Sequence, residues 1–302
     1  HDASAWGAIM IPIIVIKNNE GPTALFTGAN HGDEYEGPIA LINLAQTLSL
    51  SKISGRIILI PMMNYPAFIA GKRTSPIDSG NMNRAFPGKY NGTVTYKIAD
   101  YFQRTLLPMA DLVLDIHAGG KTLDFIPFAA AHYLEDSNQE KDCIEAMRAF
   151  NAPYSMMLKE IDSMGMYDTA AEDMGKIFVS TELGGGGSAS AKSIAITTRG
   201  IRNLLKHINI LEGKPEMRPS VNLDTSNEGC FITSDRDGLL EMCIDLGTHV
   251  KAGDLIAKIY ETQRTDIQPR EYHAKIEGIL AARHFPGLIK LGDSLAVIAT
   301  ID

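Results

Sequence analysis

The sequence predicts an α/β chain: a mixed, mostly parallel sheet flanked by helices, with a smaller all-β sandwich domain at its C-terminal end. Three observations carry that expectation. Up to about residue 212, short and nearly all-apolar stretches alternate with stretches of helical period, as expected of parallel strands buried on both faces. Past "EGKPEMRPS" the helical period disappears, and short strands with glycine turns take over. That last part also repeats itself: "DGLLEMCIDLGTHVKAGDLIAKI" (237–259) aligns with "EGILAARHFPGLIKLGDSLAVI" (277–298) after a single-residue gap.

Taken in order, the expected strands are "AIMIPIIVI", "TALFTGA", "GRIILIPMMN", "DLVLDIHA", "FIPFAA" and "KIFVSTEL". Each is short, apolar and mostly rich in β-branched residues. Between several of them lie the helical patterns "EGPIALINLAQTLSL", "VTYKIADYFQRTLLPMA", "NQEKDCIEAMRAFN" and "SAKSIAITTRGIRNLLKHINIL". The Pro-containing, charged "EGKPEMRPS" reads as a linker, so the expected domains are residues 1–215 and 222–302. In the first of these, ligands should gather outside the carboxyl ends of the strands.

The repeat resembles the biotinyl/lipoyl-like barrel-sandwich fold, two strand-turn-strand units related by pseudo-symmetry. A cofactor carrier of that fold needs an attachment lysine on the exposed hairpin between the halves. Here the connection "YETQRTDIQPREYH" has none. The domain is therefore expected to be structural, shaping the mouth of a site or offering a homo-oligomer contact.

A formal net charge of −8 provides no basic footprint for phosphate contacts, which excludes a nucleic-acid partner. The three cysteines, Cys143, Cys230 and Cys243, are too few and scattered for a disulfide framework. Together with the lack of a membrane-length apolar run and of a charged signal-peptide n-region, they predict a cytoplasmic protein with no membrane partner. The remaining histidines, among them His132, His207, His249, His273 and His284, are expected to be packing or surface residues, and the 13 methionines core fillers.

The segment "TGANHGDEYEG" stands out. His31 and Glu34 directly follow an apolar strand, and His-x-x-Glu spacing lets an imidazole and a carboxylate converge on one ion. A catalytic zinc takes three protein ligands of this kind and keeps a position open for water. The third candidate is His117 in "DLVLDIHAGG", at the carboxyl end of another apolar strand. Hydrolysis also requires a base that is not a ligand, and Glu182 in "KIFVSTELGGGG" ends a further strand just before four glycines. The loop "GKRTSPIDSGNMNRAFPGKYNG" adds Arg73, Asn83 and Arg84. An arginine fork suits a carboxylate, and a second arginine can stabilise an oxyanion. Each feature alone has an ordinary alternative: a packed histidine, a salt-bridged glutamate, solvated arginines.

In this order, "HGDE", "NMNRAFPG", "DIHAGG" and "TELGGG" resemble the succinylglutamate desuccinylase/aspartoacylase family, a branch of the zinc carboxypeptidase-like fold. The resemblance implies one zinc ion per chain on His31, Glu34 and His117, with Glu182 as general base and acid. It further implies that Asn83 and Arg84 hold a substrate carboxylate and that Arg73 polarises the scissile carbonyl. Many members carry an aspartate two residues before the Asn-Arg pair, where this chain has Asn81. "GKRTSPIDSGNMNRAFPG" and the opening "HDASAWG" look like the branch containing N-acetyl-L-2,4-diaminobutyrate deacetylases of ectoine breakdown. An amine-bearing substrate would favour a nearby acid, for which Asp33, Glu36 and Asp78 are candidates.

The expected function is zinc-dependent hydrolysis of a small N-acyl amino acid, releasing the acyl group, acetate in the expected case. Two alternatives stand beside it: a metallocarboxypeptidase trimming peptide C-termini, and a non-catalytic metal-binding or carrier-like module.

Overall fold

A computed structural model describes residues 5–159 and 162–302. Its first part contains β1 (Ile14–Asn18), β2 (Thr23–Gly28), α1 (Glu36–Thr47), β3 (Gly55–Ile60), α2 (Tyr65–Ala70), α3 (Val94–Tyr101), β4 (Leu112–His117), β5 (Leu123–Phe125), β6 (Phe128–His132), α4 (Ser137–Phe150), β7 (Tyr154–Leu158), α5 (Tyr167–Glu172), β8 (Ile177–Glu182), α6 (Ala191–His207) and β9 (Val221–Asp224). Strands β3, β2, β4 and β8 run parallel side by side, β6 is antiparallel to β8, and β7 and β9 continue parallel to β6. Alternate residues of the central strands feed opposite layers. Phe26, Leu114 and Ile116 pack with α1, α4 and α6, whereas Leu25, Val113 and Phe178 pack with Phe102 and Tyr167 on the other face. Burial on both faces explains why these strands read as unbroken apolar runs.

Prolines account for three of the differences from the expected elements. The first apolar run is a strand only from Ile14; Pro12 lacks the N–H that a ladder needs, and β1 is an edge strand paired with β3 alone. "FIPFAA" divides around Pro127, so β5 pairs with β15 in the C-terminal region while β6 joins β8. The helix expected over 94–110 is α only to Tyr101, then winds as a π turn over Phe102–Leu106 and a 3-10 turn over Leu107–Met109, which contains Pro108. Helices α2 and α5 and strand β7 are additional to the sequence reading.

The C-terminal part holds β10 (Phe231–Thr233), β11 (Gly238–Met242), β12 (His249–Val250), β13 (Leu255–Tyr260), β14 (Arg270–His273), β15 (Gly278–His284), β16 (Leu288–Ile289) and β17 (Ser294–Ile301). The two sequence repeats exchange their middle strands: β12 of the first pairs with β15 of the second, and β16 of the second pairs with β11 of the first. Strand β14 completes one small sheet beside β13. Because β9 bonds both β7 and β17, the other face of the sandwich continues the central sheet without a break. Ile126, Phe128, Leu223, Ile279 and Ala299 form the apolar seam at that junction. Among the described residues no helix is long and apolar enough to cross a membrane.

Candidate metal centre

Strands β2, β4 and β8 end level with one another. Gly28 pairs with Ile116, and His117 pairs with Glu182. Beyond β2 the chain turns through Ala29, which is fully buried at φ 49°, a left-handed conformation that costs an L-residue about 1 kcal/mol. Two hydrogen bonds to the exit of β3 hold it, as Met63 N donates to Gly28 O at 2.9 Å and Asn64 N to Ala29 O at 3.0 Å. Gly32 then passes against α2 so closely that a Cβ there would lie 2.1 Å from the carbonyl carbon of Ala67. This tight turn sends the side chains of His31 and Glu34 to the same point.

At that point His31 Nδ1 is 2.7 Å from Glu34 Oε1, and His117 Nδ1 is 3.0 Å from Glu34 Oε2. One ligand atom from each of the three residues falls within 4.8 Å of the others, and all three side chains are buried. Burial opposes ionisation of Glu34, but the adjacent His31 and His117 outweigh it and hold its carboxyl well below the usual carboxylate range. The chemistry of this donor set fits a divalent ion: two imidazoles, one carboxylate, and a His31 Nε2 that is buried without a hydrogen-bond partner among the described residues. Arg73 already leans toward the cluster, with Nη1 3.3 Å from His31 Nδ1 and 3.9 Å from Glu34 Oε1.

Sequence reading missed the residue behind His117. Asp115 lies two positions earlier on the same strand, so its side chain points the same way. His117 Nε2 donates to Asp115 Oδ2 at 2.7 Å, Asn30 Nδ2 donates to the same oxygen at 2.8 Å, and Thr27 Oγ1 donates to Oδ1 at 2.6 Å. Burial works against its charge too, yet His117, Thr27 and Asn30 together hold its carboxyl below the usual range. A carboxylate on the far nitrogen is the usual partner of a metal-binding histidine, because it fixes the tautomer and ring orientation. The signal that could have found it is the "DIH" triplet, an acid in the middle of a buried strand.

Glu182, level with His117 on the neighbouring strand, has Oε2 buried without a partner among the described residues. Burial, then the charge of Glu34, pushes its carboxyl up to about 8, against the opposing pull of His117 and Arg73. Beyond it, Gly184 O accepts from Gly119 N at 2.9 Å and from Phe125 N at 3.2 Å. A Cβ on Gly186 would lie 2.6 Å from the ring of Phe285, which reaches over from the C-terminal sandwich.

The arginine loop is pinned to α3, since Asp78 accepts from Thr95 N and Thr95 Oγ1, each at 2.8 Å. Asn81 Oδ1 accepts from Asn83 N at 3.0 Å, and Asn83 Oδ1 accepts from Tyr167 N at 3.1 Å. Asn83 Oδ1 also lies 3.4 Å from the Nδ2 of Asn30, the residue before His31, whereas Arg84 is exposed with its guanidinium on Asn83 O at 2.8 Å. Of the acids considered for an amine, Asp33 accepts from Lys121 N at 2.9 Å, Glu36 Oε1 accepts from Ser193 Oγ at 3.1 Å, and Asp78 is committed to α3.

With the geometry in view, comparison with known proteins is informative. The model of the succinylglutamate desuccinylase/aspartoacylase catalytic domain matches residues 20–208. An N-alpha-acetyl-L-2,4-diaminobutyric acid deacetylase from Halomonas elongata is 52% identical, over 100% of this chain and 89% of its own length. The product-bound structure of the ectoine utilization protein EutE (DoeB) from Ruegeria pomeroyi has 61% identity and a TM-score of 0.97, over 99% of this chain and 92% of that one. A succinylglutamate desuccinylase/aspartoacylase from Rhodobacter sphaeroides, at 34% identity, has a TM-score of 0.94 over 100% of this chain and 93% of its own. A family match over most of the α/β part and relatives alike from end to end leave one conclusion: this chain belongs to the succinylglutamate desuccinylase/aspartoacylase family of amide-cleaving hydrolases.

Proposed function

We propose that this chain is a zinc-dependent deacetylase that hydrolyses Nα-acetyl-L-2,4-diaminobutyrate to acetate and the free amino acid, within ectoine degradation and in the cytoplasm. The observation that carries the reading is the buried His31–Glu34–His117 cluster, flanked by Glu182 on the adjacent strand end. The identities with the Halomonas elongata deacetylase and with EutE support the choice of substrate. Zinc held by the three residues would supply Lewis acidity to water and to the amide carbonyl.

The chain's own residues do the rest. Glu182 takes a proton from the attacking water on its free Oε2 as the C–O bond forms, then delivers it to the departing amine as the C–N bond breaks. Arg73, at the rim of the cluster, faces the negative charge that grows on the carbonyl oxygen. Asn83 has its Oδ1 occupied by Tyr167 N–H, which leaves Nδ2 as the donor for the substrate carboxylate, with the exposed Arg84 guanidinium next to it in the chain. Phe285 over Gly186 narrows the approach, which favours a small acyl group over a peptide.

The test is to load the full chain with zinc and follow amine release from Nα-acetyl-L-2,4-diaminobutyrate, N-acetylaspartate, N-succinylglutamate and a peptide with a free C-terminus. The acetylated diaminobutyrate should be turned over fastest. Preferential cleavage of the peptide would replace this reading with a carboxypeptidase.

A further inference from the structure

We infer that Asn30 is a positioning residue that ties the carboxylate-reading amide of Asn83 and the carboxylate partner of His117 into one hydrogen-bonded frame, coupling substrate recognition to metal retention. The inference rests on the function proposed above. Asn30 is fully buried directly before His31, where no expected role had been given to it. Its Nδ2 donates to Asp115 Oδ2 at 2.8 Å and lies 3.4 Å from Asn83 Oδ1. A carboxylate only accepts, so the amide nitrogen of Asn30, not its oxygen, has to face Asp115.

That choice fixes the next amide. Asn83 Oδ1 meets two donors, Tyr167 N–H at 3.1 Å and Asn30 Nδ2. Turning Asn83 over would set its NH2 against both donors, and a buried clash of donors is disfavoured strongly. Orientation is therefore relayed from Asp115, which orients His117, through Asn30, to the one group of Asn83 left free to donate. Without Asn30, Asp115 loses one of its three donors and Asn83 loses half of what holds its amide in register.

The experiment uses the zinc-loaded full chain and the variants Asn30→Ala, Asn83→Ala and the double variant, with kcat and KM for the N-acetyl amino acid and zinc retention against a chelator as readouts. Asn30→Ala should raise KM about tenfold while kcat stays within about threefold, and should weaken zinc retention about tenfold. In the Asn83→Ala background, adding Asn30→Ala should leave KM within about twofold yet still weaken zinc retention, because its effect on the substrate passes through Asn83. Should Asn30→Ala fail to fold, Asn30→Ser takes its place: its single hydroxyl can serve Asp115 alone, so zinc retention should hold while KM rises. The inference is overturned if the folded variant moves neither KM nor zinc retention, if kcat falls with KM unchanged, or if its KM effect adds in full to that of Asn83→Ala. A wild-type chain that neither holds zinc nor hydrolyses the substrate would overturn the functional reading itself. A silent Asn30 variant in an active wild-type background would overturn only this coupling.

Discussion

Glu182→Gln tests proton transfer at nearly constant shape, because the amide keeps the size of the side chain but neither takes up a proton nor carries the carboxylate charge. Burial and the charge of Glu34 push the Glu182 carboxyl up to about 8, so in zinc-stripped protein at pH 7 only about one molecule in ten carries it ionised. A divalent charge in the cluster favours the ionised form, and zinc uptake must therefore release this proton. The sign follows: below about pH 8 this one proton adds up to about tenfold per pH unit to the rise of wild-type zinc affinity with pH. Glu182→Gln should show a flatter rise. Loss of the base should lower kcat by about 10²- to 10⁴-fold, with KM little changed, since the proposed carboxylate-binding residues are Asn83 and Arg84. The same raised pKa means that the folded, zinc-stripped chain binds more protons than the unfolded one between about pH 4.5 and 8, so its stability falls as pH rises through that window. The glutamine variant escapes that loss and should be more stable at pH 8 by about 2 kcal/mol, a value discounted for partial solvent access. Chelator competition across pH 6 to 9, steady-state kinetics and thermal melting read the three effects. Full turnover by zinc-loaded Glu182→Gln would refute the assignment of the base.

Other substitutions probe the frame around the cluster. Gly32→Ala drives a methyl into the backbone of α2 at Ala67, so the ligand loop must shift; about 3 kcal/mol of stability should be lost, and a variant that binds zinc like wild type would show the close approach to be unimportant. Asp78→Asn weakens the clasp between the arginine loop and α3. Burial raises the Asp78 carboxyl, but hydrogen bonds from Thr93, Thr95 and Ser75 outweigh that and hold it at about 2. Its stabilising effect is thus present above about pH 4 and lost as pH falls through 2; unfolding free energies of wild type and variant from urea titration should differ by about 1 kcal/mol at pH 7 and converge near pH 2. Phe285→Ala uncovers Gly186 and should raise kcat/KM for longer N-acyl chains several-fold while leaving the acetyl substrate within about twofold; an unchanged acyl-length profile would remove the sandwich from the specificity argument.

Two parts of this site that were legible in the sequence, His117 and Glu182, share one property: each stands at a strand end that periodicity can locate. His117 and Glu182 close apolar runs, and a polar side chain at such a place needs a reason. Their partner strands β2, β4 and β8 come out adjacent and level because apolar strands linked by helices form a parallel sheet, and crossover handedness restricts how such strands can be ordered. Asp115 was also within reach, since a period of two puts it on the His117 side of β4. What the sequence did not disclose was the division of labour among amides. Asn30 and Asn83 lie outside the α-helices and strands, where side-chain direction follows no long period.

The orientation of an amide depends on which donors and acceptors the fold brings from elsewhere, and here they come from residues 53 to 85 positions away. The same limit applies to the proline-split run "FIPFAA". Its composition announces a strand, but only the C-terminal sandwich decides that β5 leaves the central sheet and pairs with β15. That exchange bears on the site, because β5 and Phe285, in the turn between β15 and β16, both lie against the glycine run that follows Glu182. The sandwich thus reaches the segment directly after the proposed base. A sandwich serving only as an appended domain would allow substitutions along β15 to change stability while leaving the acyl-length profile and the pH dependence of zinc uptake alone. A brace requires the two to move together, and Phe285→Ala, measured alongside Glu182→Gln, distinguishes these outcomes.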